Sequence, residues 1–214
     1  MAPKASLAKC LLCESRYSGT GISRHLQSCI PKSLEKTKQK EKSTGRPFFH
    51  LLIKGYYLPD YWLHLLVDSH ANLNDIDQFL RDIWLECCGH LSVFFNGRAE
   101  LDMNEQLNNV LMPGMELKHL YDFGSSTELL VKVLGTYASS GNGRKQIQIL
   151  ARNEALVIPC DECGTGPAVK ICAVCQWDGK GWLCGACADK HLCGEEVILP
   201  VVNSPRTGVC GYGE

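Results

Sequence analysis

Residues 48–67, FFHLLIKGYYLPDYWLHLLV, decide the fold of the central part of the chain. Two apolar runs, residues 48–54 and 61–67, are separated by Gly55 and a Pro-Asp pair, a pattern typical of two β-strands joined by a turn. The second run contains few polar residues, so we predict that it is largely buried. The two runs therefore place a β-sheet at the centre of the molecule.

The clearest helix of the sequence follows these strands. Asn72 can cap its start, Gly89 can end it, and apolar residues between them recur at helical spacing. These residues are Leu73, Ile76, Leu80, Ile83, Trp84 and Cys87. Because Cys87 lies on the apolar side, we interpret it as a small core residue and not as a nucleophile acting with Cys88 and His90.

Further strands complete the region up to residue 152. We predict strands over residues 90–95, 116–121, 128–133 and 146–151, a short helix within residues 101–112, and turns at residues 122–126 and 141–143. Hairpin connections with one main helix predict an α+β fold: a mixed sheet with a packed helix, flanked by small zinc-stabilised modules. Four histidines follow no metal-ligand spacing and are expected at the surface or partly buried: His50, His64, His70 and His119.

Four segments of this region resemble a known family. They read YLPDYWLHLLV (57–67), LNDIDQFLRDIW (73–84), HLSVF (90–94) and LYDFG (120–124). Together they resemble the Ri-plasmid ORF-three-like family, often described as insertion-element passenger proteins of the TnpR type, over roughly residues 47–150. Residues 84–89, WLECCG, depart from the glycine-tryptophan pair common at that place. The resemblance implies an α+β domain of bacterial and archaeal plasmids, mobile elements and chromosomes. It implies no secure activity and no catalytic residues.

The N-terminal residues carry a metal-ligand pattern, C-x2-C-x11-H-x3-C, formed by Cys10, Cys13, His25 and Cys29. A His and a Cys four residues apart share one face of a helix, which we predict from Ile22 to about Cys29. Four soft ligands at this spacing suit tetrahedral Zn²⁺, and the segment is too short to fold on a core of its own. The pattern resembles a single C2HC/C2H2-type zinc finger; the alternative is free thiols beside a surface histidine.

Charge divides the chain unevenly, although the net charge is only −1. Residues 1–46 carry ten Lys and Arg against three Asp and Glu, whereas the remainder is acidic. Residues 31–46 are interpreted as a mobile basic linker or a frayed helix. A basic arm indicates either an anionic partner or a solvated linker. Lys9, Arg16 and Arg24 are the candidate nucleic-acid contacts.

The C-terminal residues carry the strongest metal-ligand pattern of the sequence. Three C-x2-C pairs and a trailing His/Cys pair supply eight ligands for two Zn²⁺ ions: Cys160, Cys163, Cys172, Cys175, Cys184, Cys187, His191 and Cys193. The spacing resembles cross-braced B-box, RING and ZZ modules, in which pairs one and three share a metal; sequential pairing is the alternative. Cys210 is a further candidate that could replace Cys193. Sites filled by four protein ligands are structural, not catalytic.

The sequence therefore predicts four parts: a zinc finger (1–30), a basic linker (31–46), an α+β domain (47–152) and a two-zinc module (153–214). With three Zn²⁺ ions expected, the main hypothesis is a non-enzymatic module for nucleic-acid or protein interaction, and the family resemblance implies a link to mobile elements. The alternative is a middle-domain enzyme acting on nucleic acid or nucleotides. Because the sequence has no apolar run of the roughly 18 residues that a span needs and no secretory signal, we expect a cytoplasmic protein without membrane contact.

Overall fold

The computed structural model describes residues 7–38, 46–139 and 146–213. Strands in these ranges are β1 (Leu7–Lys9), β2 (Arg16–Ser18), β3 (Arg46–Gly55), β4 (Trp62–Asp68), β5 (Ser92–Asn96), β6 (Ala99–Glu100), β7 (Glu116–Tyr121), β8 (Thr127–Ser139), β9 (Ile147–Arg152), β10 (Lys170–Cys172), β11 (Trp182–Leu183) and β12 (Ile198–Pro200). Helices are α1 (Gly19–Lys38), α2 (Leu73–Leu80), α3 (Leu107–Val110) and α4 (Gly185–Ala188). A π-helical turn, Arg81–Leu85, extends α2, and 3-10 turns lie at Cys175–Asp178 and Glu195–Val197.

A seven-stranded sheet in the order β6-β5-β7-β8-β3-β4-β9 forms the centre of the molecule. A three-stranded sheet, β11-β10-β12, and the β1–β2 hairpin lie outside it. The α+β class predicted from the sequence is confirmed. Within the described strands every pairing is antiparallel, whereas the prediction described a mixed sheet. Tight hairpins such as β3–β4 and β7–β8 produce this arrangement, because a parallel pair needs a long crossover.

Both faces of the central sheet are covered. All seven residues of β4 are buried, as the largely apolar run predicted. Leu63, Leu65 and Val67 pack against α2 and the π-helical turn, whereas Trp62 and Leu66 pack with the residues of α1. The alternation follows from the period of two along a strand. The sheet therefore lies between two helical layers.

Helix α1 is longer than predicted and is part of the core. It runs through Pro31 to Lys38, so the first half of the predicted basic linker is helical; residues 39–45 lie outside the described residues. Ile22, Leu26, Ile30 and Leu34 recur every four residues and are all buried against the sheet. This stripe, and not the metal pattern alone, fixes the helix in place.

The predicted helix over residues 72–89 ends earlier than expected. A capping box formed by Asn72 and Asp75 starts α2, and the π-helical turn brings Trp84 into the core before the helix ends at Leu85. Cys87 and Cys88 consequently lie in a loop. The predicted helix within residues 101–112 is reduced to α3, and the predicted turn at residues 141–143 lies outside the described residues.

Three of the histidines expected near the surface are fully buried, which corrects that prediction. His50 Nε2 lies 2.8 Å from His64 Nδ1, and His64 Nε2 lies 3.1 Å from the Ser23 hydroxyl, so this chain of polar groups ties α1 to the sheet. His119 Nε2 lies 2.7 Å from an Asp77 carboxylate oxygen. His70 is the half-exposed one. The burial of these histidines could not be predicted from the spacing of metal ligands, because it depends on where each residue lies in a strand of the sheet.

We predict that the buried histidines His50 and His64 make folding of the protein sensitive to acid. Burial lowers the pKa of His50 to about 4 and that of His64 to about 3. The unfolded chain therefore binds protons near pH 6.5 while the folded chain does not, so stability is full above that pH and falls as the pH drops towards 4. By pH 5 each histidine would reduce the free energy of unfolding by up to about 2 kcal/mol.

Urea unfolding of the purified protein between pH 5 and 8 measures this effect. His64→Gln, which cannot gain a proton in this range, should flatten the dependence. The half-exposed control His70→Gln should leave it unchanged. Equal slopes in wild type and His64→Gln would contradict the prediction.

Candidate metal centres

All thirteen cysteines of the chain and three of its seven histidines gather in four groups. Within each group the ligand atoms lie within 4.8 Å of one another. We call them centre N (Cys10, Cys13, His25, Cys29), centre M (Cys87, Cys88, His90, Cys210), centre C1 (Cys160, Cys163, Cys184, Cys187) and centre C2 (Cys172, Cys175, His191, Cys193). Each group offers four soft ligands, and each could hold a metal ion.

Centre N unites the four ligands that the finger pattern predicts. Cys13 Sγ lies 3.2 Å from His25 Nε2, and Cys10 Sγ lies 3.9 Å from Cys29 Sγ. Zinc–sulfur bonds of 2.3 Å in a tetrahedron separate two sulfur atoms by about 3.8 Å. The thiols are thus spaced as a common tetrahedral ion requires.

Local backbone geometry sets the knuckle of centre N. The Glu14 amide donates to the Cys10 carbonyl at 2.7 Å, and Glu14 adopts a left-handed conformation with φ of 66°. The Leu11 amide donates to the Leu150 carbonyl, which attaches the knuckle to strand β9. The His25 ring stacks on Tyr17 with centroids 4.1 Å apart. Centre N is therefore built onto the central sheet and not held on a separate arm.

The C-terminal ligands combine in the cross-braced order. Pairs one and three form centre C1, and the second pair joins the His191/Cys193 pair in centre C2. Cys193 lies within C2 and Cys210 lies elsewhere, in centre M. The two centres interleave because β10, which ends at Cys172, pairs with both β11 and β12.

Centre C1 repeats the knuckle geometry of centre N. The Gly164 amide donates to the Cys160 carbonyl at 2.9 Å, and Gly164 has φ of 67°. Hydrogen bonds from the Thr165 hydroxyl and from backbone amides lower the pKa of Cys163 to about 5. The site thus stabilises a thiolate, which is the form that binds a metal ion. Cys163 Sγ lies 3.8 Å from Cys184 Sγ.

Centre C2 has the same spacing between ligand atoms. Cys175 Sγ lies 3.4 Å from His191 Nε2 and 3.6 Å from Cys193 Sγ. Burial raises the pKa of Cys172, but hydrogen bonds from the Cys175 amide and its neighbours outweigh burial and bring it to about 7. Contact with Cys193 and Cys172 raises the pKa of Cys175 to about 12. Crowded sulfur ligands resist joint deprotonation until a cation joins them.

Centre M was not predicted from the sequence. Cys87 is partly buried and packs against the central core, as the sequence predicts, but it does not lie in the helix, which ends at Leu85, and its Sγ lies 3.7 Å from Cys88 Sγ. His90 Nε2 lies 2.9 Å from Cys88 Sγ and 3.3 Å from Cys210 Sγ. Two features of the sequence could have indicated centre M: Cys210, which the two C-terminal centres do not need as a ligand, and the C-C-x-H spacing of residues 87–90. Cys210 lies 120 residues from His90 along the chain, so the spacing of ligands could not show that the two residues come together.

The candidate nucleic-acid contacts lie around centre N. Lys9 and Arg16 are paired across the β1–β2 hairpin. Lys9 forms an ion pair with Glu14 at 3.4 Å, and Arg16 forms one with Glu154. Arg24 is exposed on α1. Acidic neighbours therefore compensate two of the three positive charges.

Comparison with known proteins gives little support for a family. No model of a protein family and no curated protein matches the sequence. Among solved structures, the chain is similar to a protein of unknown function, MM3350 from Methanosarcina mazei Go1, with a TM-score of 0.45 and 16% identity over 56% of this chain and 75% of that one. A likeness of this degree carries no functional argument. The resemblance to the Ri-plasmid ORF-three-like family stays a prediction.

In the described ranges, no helix is long and apolar enough to cross a membrane.

We predict that removing a ligand of centre C2 unfolds the C-terminal module. Cys175→Ser removes a sulfur that lies within 3.6 Å of Cys193 Sγ. Because metal-coupled folding of such modules contributes roughly 10–16 kcal/mol, most of the stability of the module should be lost. Because centres C1 and C2 interleave in this module, elemental analysis should show two zinc ions fewer than wild type, and amide exchange should rise over residues 160–200.

A neighbouring non-ligand provides the control. Glu162→Gln changes an exposed residue between Cys160 and Cys163 and should keep both zinc content and exchange unchanged. A soluble Cys175→Ser protein with the zinc content and thermal midpoint of wild type would refute the assignment.

Proposed function

We propose that this chain is a zinc-binding, non-enzymatic interaction protein, with Zn²⁺ in centres N, C1 and C2. The single observation that carries the proposal is that each centre is surrounded by four protein ligands. A catalytic zinc keeps one position for water, whereas a centre with four protein ligands supports structure. The zinc ions would then stabilise the folded structure around each centre, and the surface formed there would bind a partner.

A protein partner is favoured by an apolar surface on the C-terminal module. The segments that supply centre C2 expose three large apolar side chains: Val174 is 56% exposed, Trp177 73% and Leu192 fully exposed. A cleft of about 590 Å³ is lined by Leu192, Lys190 and Glu162 together with four of the candidate ligands. Isolated exposed apolar residues are ordinary, but three large ones within the short segments of one small module favour an interaction surface there.

The expected partner surface therefore includes an apolar pocket for the Trp177 indole, since aromatic residues dominate binding energy at interfaces. We predict that the double variant Trp177→Ala, Leu192→Ala loses its protein partner while it keeps its zinc. Neither side chain supports the core, so the thermal midpoint should move little. Cross-linking and mass spectrometry on extracts of the native cells would compare this variant with wild type.

Exposed apolar residues elsewhere supply the control. Tyr57→Ala and Met112→Ala remove side chains that are 74% and 65% exposed but belong to the central domain. They should keep the cross-linked partner. Retention of the same partner by the Trp177→Ala, Leu192→Ala protein would count against the proposed surface.

Nucleic-acid binding is the second candidate, and one observation favours it. The face of α1 that points away from the sheet exposes Arg24 and Lys32, within a segment of strongly positive charge. Charges of this kind bind phosphates with an affinity that falls steeply with salt. The acidic remainder of the chain and the ion pairs of Lys9 and Arg16 oppose extensive contact with nucleic acid.

If this candidate is right, full-length protein should bind random duplex or single-stranded DNA or RNA more weakly at 200 mM than at 50 mM salt. Arg24→Glu, Lys32→Glu should then weaken binding at least tenfold at low salt, because it inverts two phosphate-facing charges. Glu35→Gln on the same helix is the control and should not weaken it. Binding that ignores both salt and the charge inversion would eliminate this candidate.

Other expectations remain proposals. A link to mobile elements rests on the family resemblance alone. An enzyme acting on nucleic acid or nucleotides in the middle domain stays the alternative function. A cytoplasmic location rests on the sequence.

A further inference from the structure

We propose that centre M binds a fourth Zn²⁺ ion and that this ion clasps the C-terminal tail, residues 203–212, onto the middle domain. The sequence accounts for three ions in modules whose ligands lie close together in the chain. In centre M, by contrast, three ligands come from one loop, residues 87–90, and the fourth is Cys210. This inference does not depend on the identity of the partner.

The ligand geometry of centre M matches that of the other three centres. Cys88 Sγ lies 3.7 Å from both Cys87 Sγ and Cys210 Sγ. These separations fall within the 3.6–3.9 Å found between sulfur atoms in centres N, C1 and C2. They are close to the roughly 3.8 Å edge of a zinc tetrahedron and far from the 2.05 Å of a disulfide. Three cysteines and one histidine are also the donor set of centres N and C2.

The backbone around centre M shares one feature with the first knuckles of centres N and C1. A left-handed residue directly follows the second cysteine in centre N, where it is Glu14, and in centre C1, where it is Gly164. Gly89, with φ of 75°, holds the same place after Cys88. Cys210 itself has φ of 51°, which is uncommon for a residue with a side chain. Such conformations persist where surrounding contacts, for example to a ligand, hold them.

Contacts independent of any metal bring the tail to this place. The Trp84 indole donates to the Asn203 carbonyl at 3.1 Å, and the Ser204 hydroxyl donates to the Trp84 carbonyl at 2.6 Å. Arg206 is fully buried and donates to Asp122 Oδ2 at 2.7 Å. Cys210 therefore reaches the loop already oriented, which reduces the entropy lost when the ion binds.

Arg206 also contacts a ligand of centre M. Its guanidinium donates to Cys87 Sγ at 3.4 Å. Asp122 already pairs with this guanidinium, and its Oδ2 lies 3.5 Å from His90 Nε2, so Arg206 acts on centre M through its direct hydrogen bond to a ligand sulfur and not through net positive charge. The surroundings of centre M are thus those of a metal site and not of idle thiols.

Centre M differs from the other centres in one respect that gives it a distinct role. Each of the others has at least one buried ligand, Cys10, Cys160 or Cys172, whereas no ligand of centre M is buried. Its ion is more accessible to water and chelators, so we expect centre M to lose its metal first. Because the ligands belong to two distant segments, metal loss would loosen the tail without unfolding a module.

Zinc counting on the full-length protein tests the proposal. Protein purified under reducing conditions should contain four zinc ions, and Cys210→Ser should contain three. Leu91→Ala, which truncates an exposed side chain beside His90, is the control and should keep four. If Cys210→Ser proves insoluble, Cys88→Ser replaces it, because that side chain is exposed and its loss leaves no cavity.

Hydrogen exchange tests the clasp itself. In Cys210→Ser, amides of residues 203–212 should exchange at least tenfold faster, while those of residues 160–200 keep the protection of wild type. A chelator titration of wild type should release one ion before the other three.

Three results would overturn the proposal. They are three zinc ions in wild type, four in both cysteine variants, or a Cys88–Cys210 disulfide in protein kept reduced. If hydrogen exchange of the tail did not change after one ion is lost, the proposal that this ion holds the tail on the middle domain would be wrong.

Discussion

The structure depends on a sheet that is apolar on both faces. Strand β4 is buried along its whole length, so the sheet cannot face water on either side. One cover is α2 with its π-helical turn, and the other is α1, which also carries His25 and Cys29. Centre N is consequently part of the cover of the sheet. Ligands held in this way have fixed positions relative to the sheet and do not lie on a separate arm.

The C-terminal tail is held by a second buried interaction, the ion pair of Arg206 and Asp122. Asp122 has a left-handed backbone at the turn between β7 and β8, which aims its carboxylate at Arg206. Leaving either buried charge unpaired would cost several kcal/mol, so the pair specifies where the tail docks. This docking joins the middle domain to the C-terminal module and places Cys210 beside the loop at residues 87–90.

The sequence allowed much of the fold and of the metal ligands to be predicted. The two apolar runs in residues 48–67 predicted the paired strands, and the C-x2-C pairs together with the two His/Cys pairs named the twelve residues that the structure gathers in centres N, C1 and C2. Local patterns succeed here because ligands of one small module lie close in the chain. Leu34 within a lysine-rich segment was too weak a signal to show that α1 continues to Lys38.

By itself, the sequence determined the α+β class, the paired strands and which cysteines form local ligand sets, because each depends on residues near one another. Only the tertiary structure decided that α1 covers the sheet, that His50 and His64 are buried, and that Cys210 joins Cys87, Cys88 and His90. Those outcomes depend on which side of a strand faces a helix and where a distant tail docks. Neither is encoded in spacing, since both arise from packing between segments far apart in the chain.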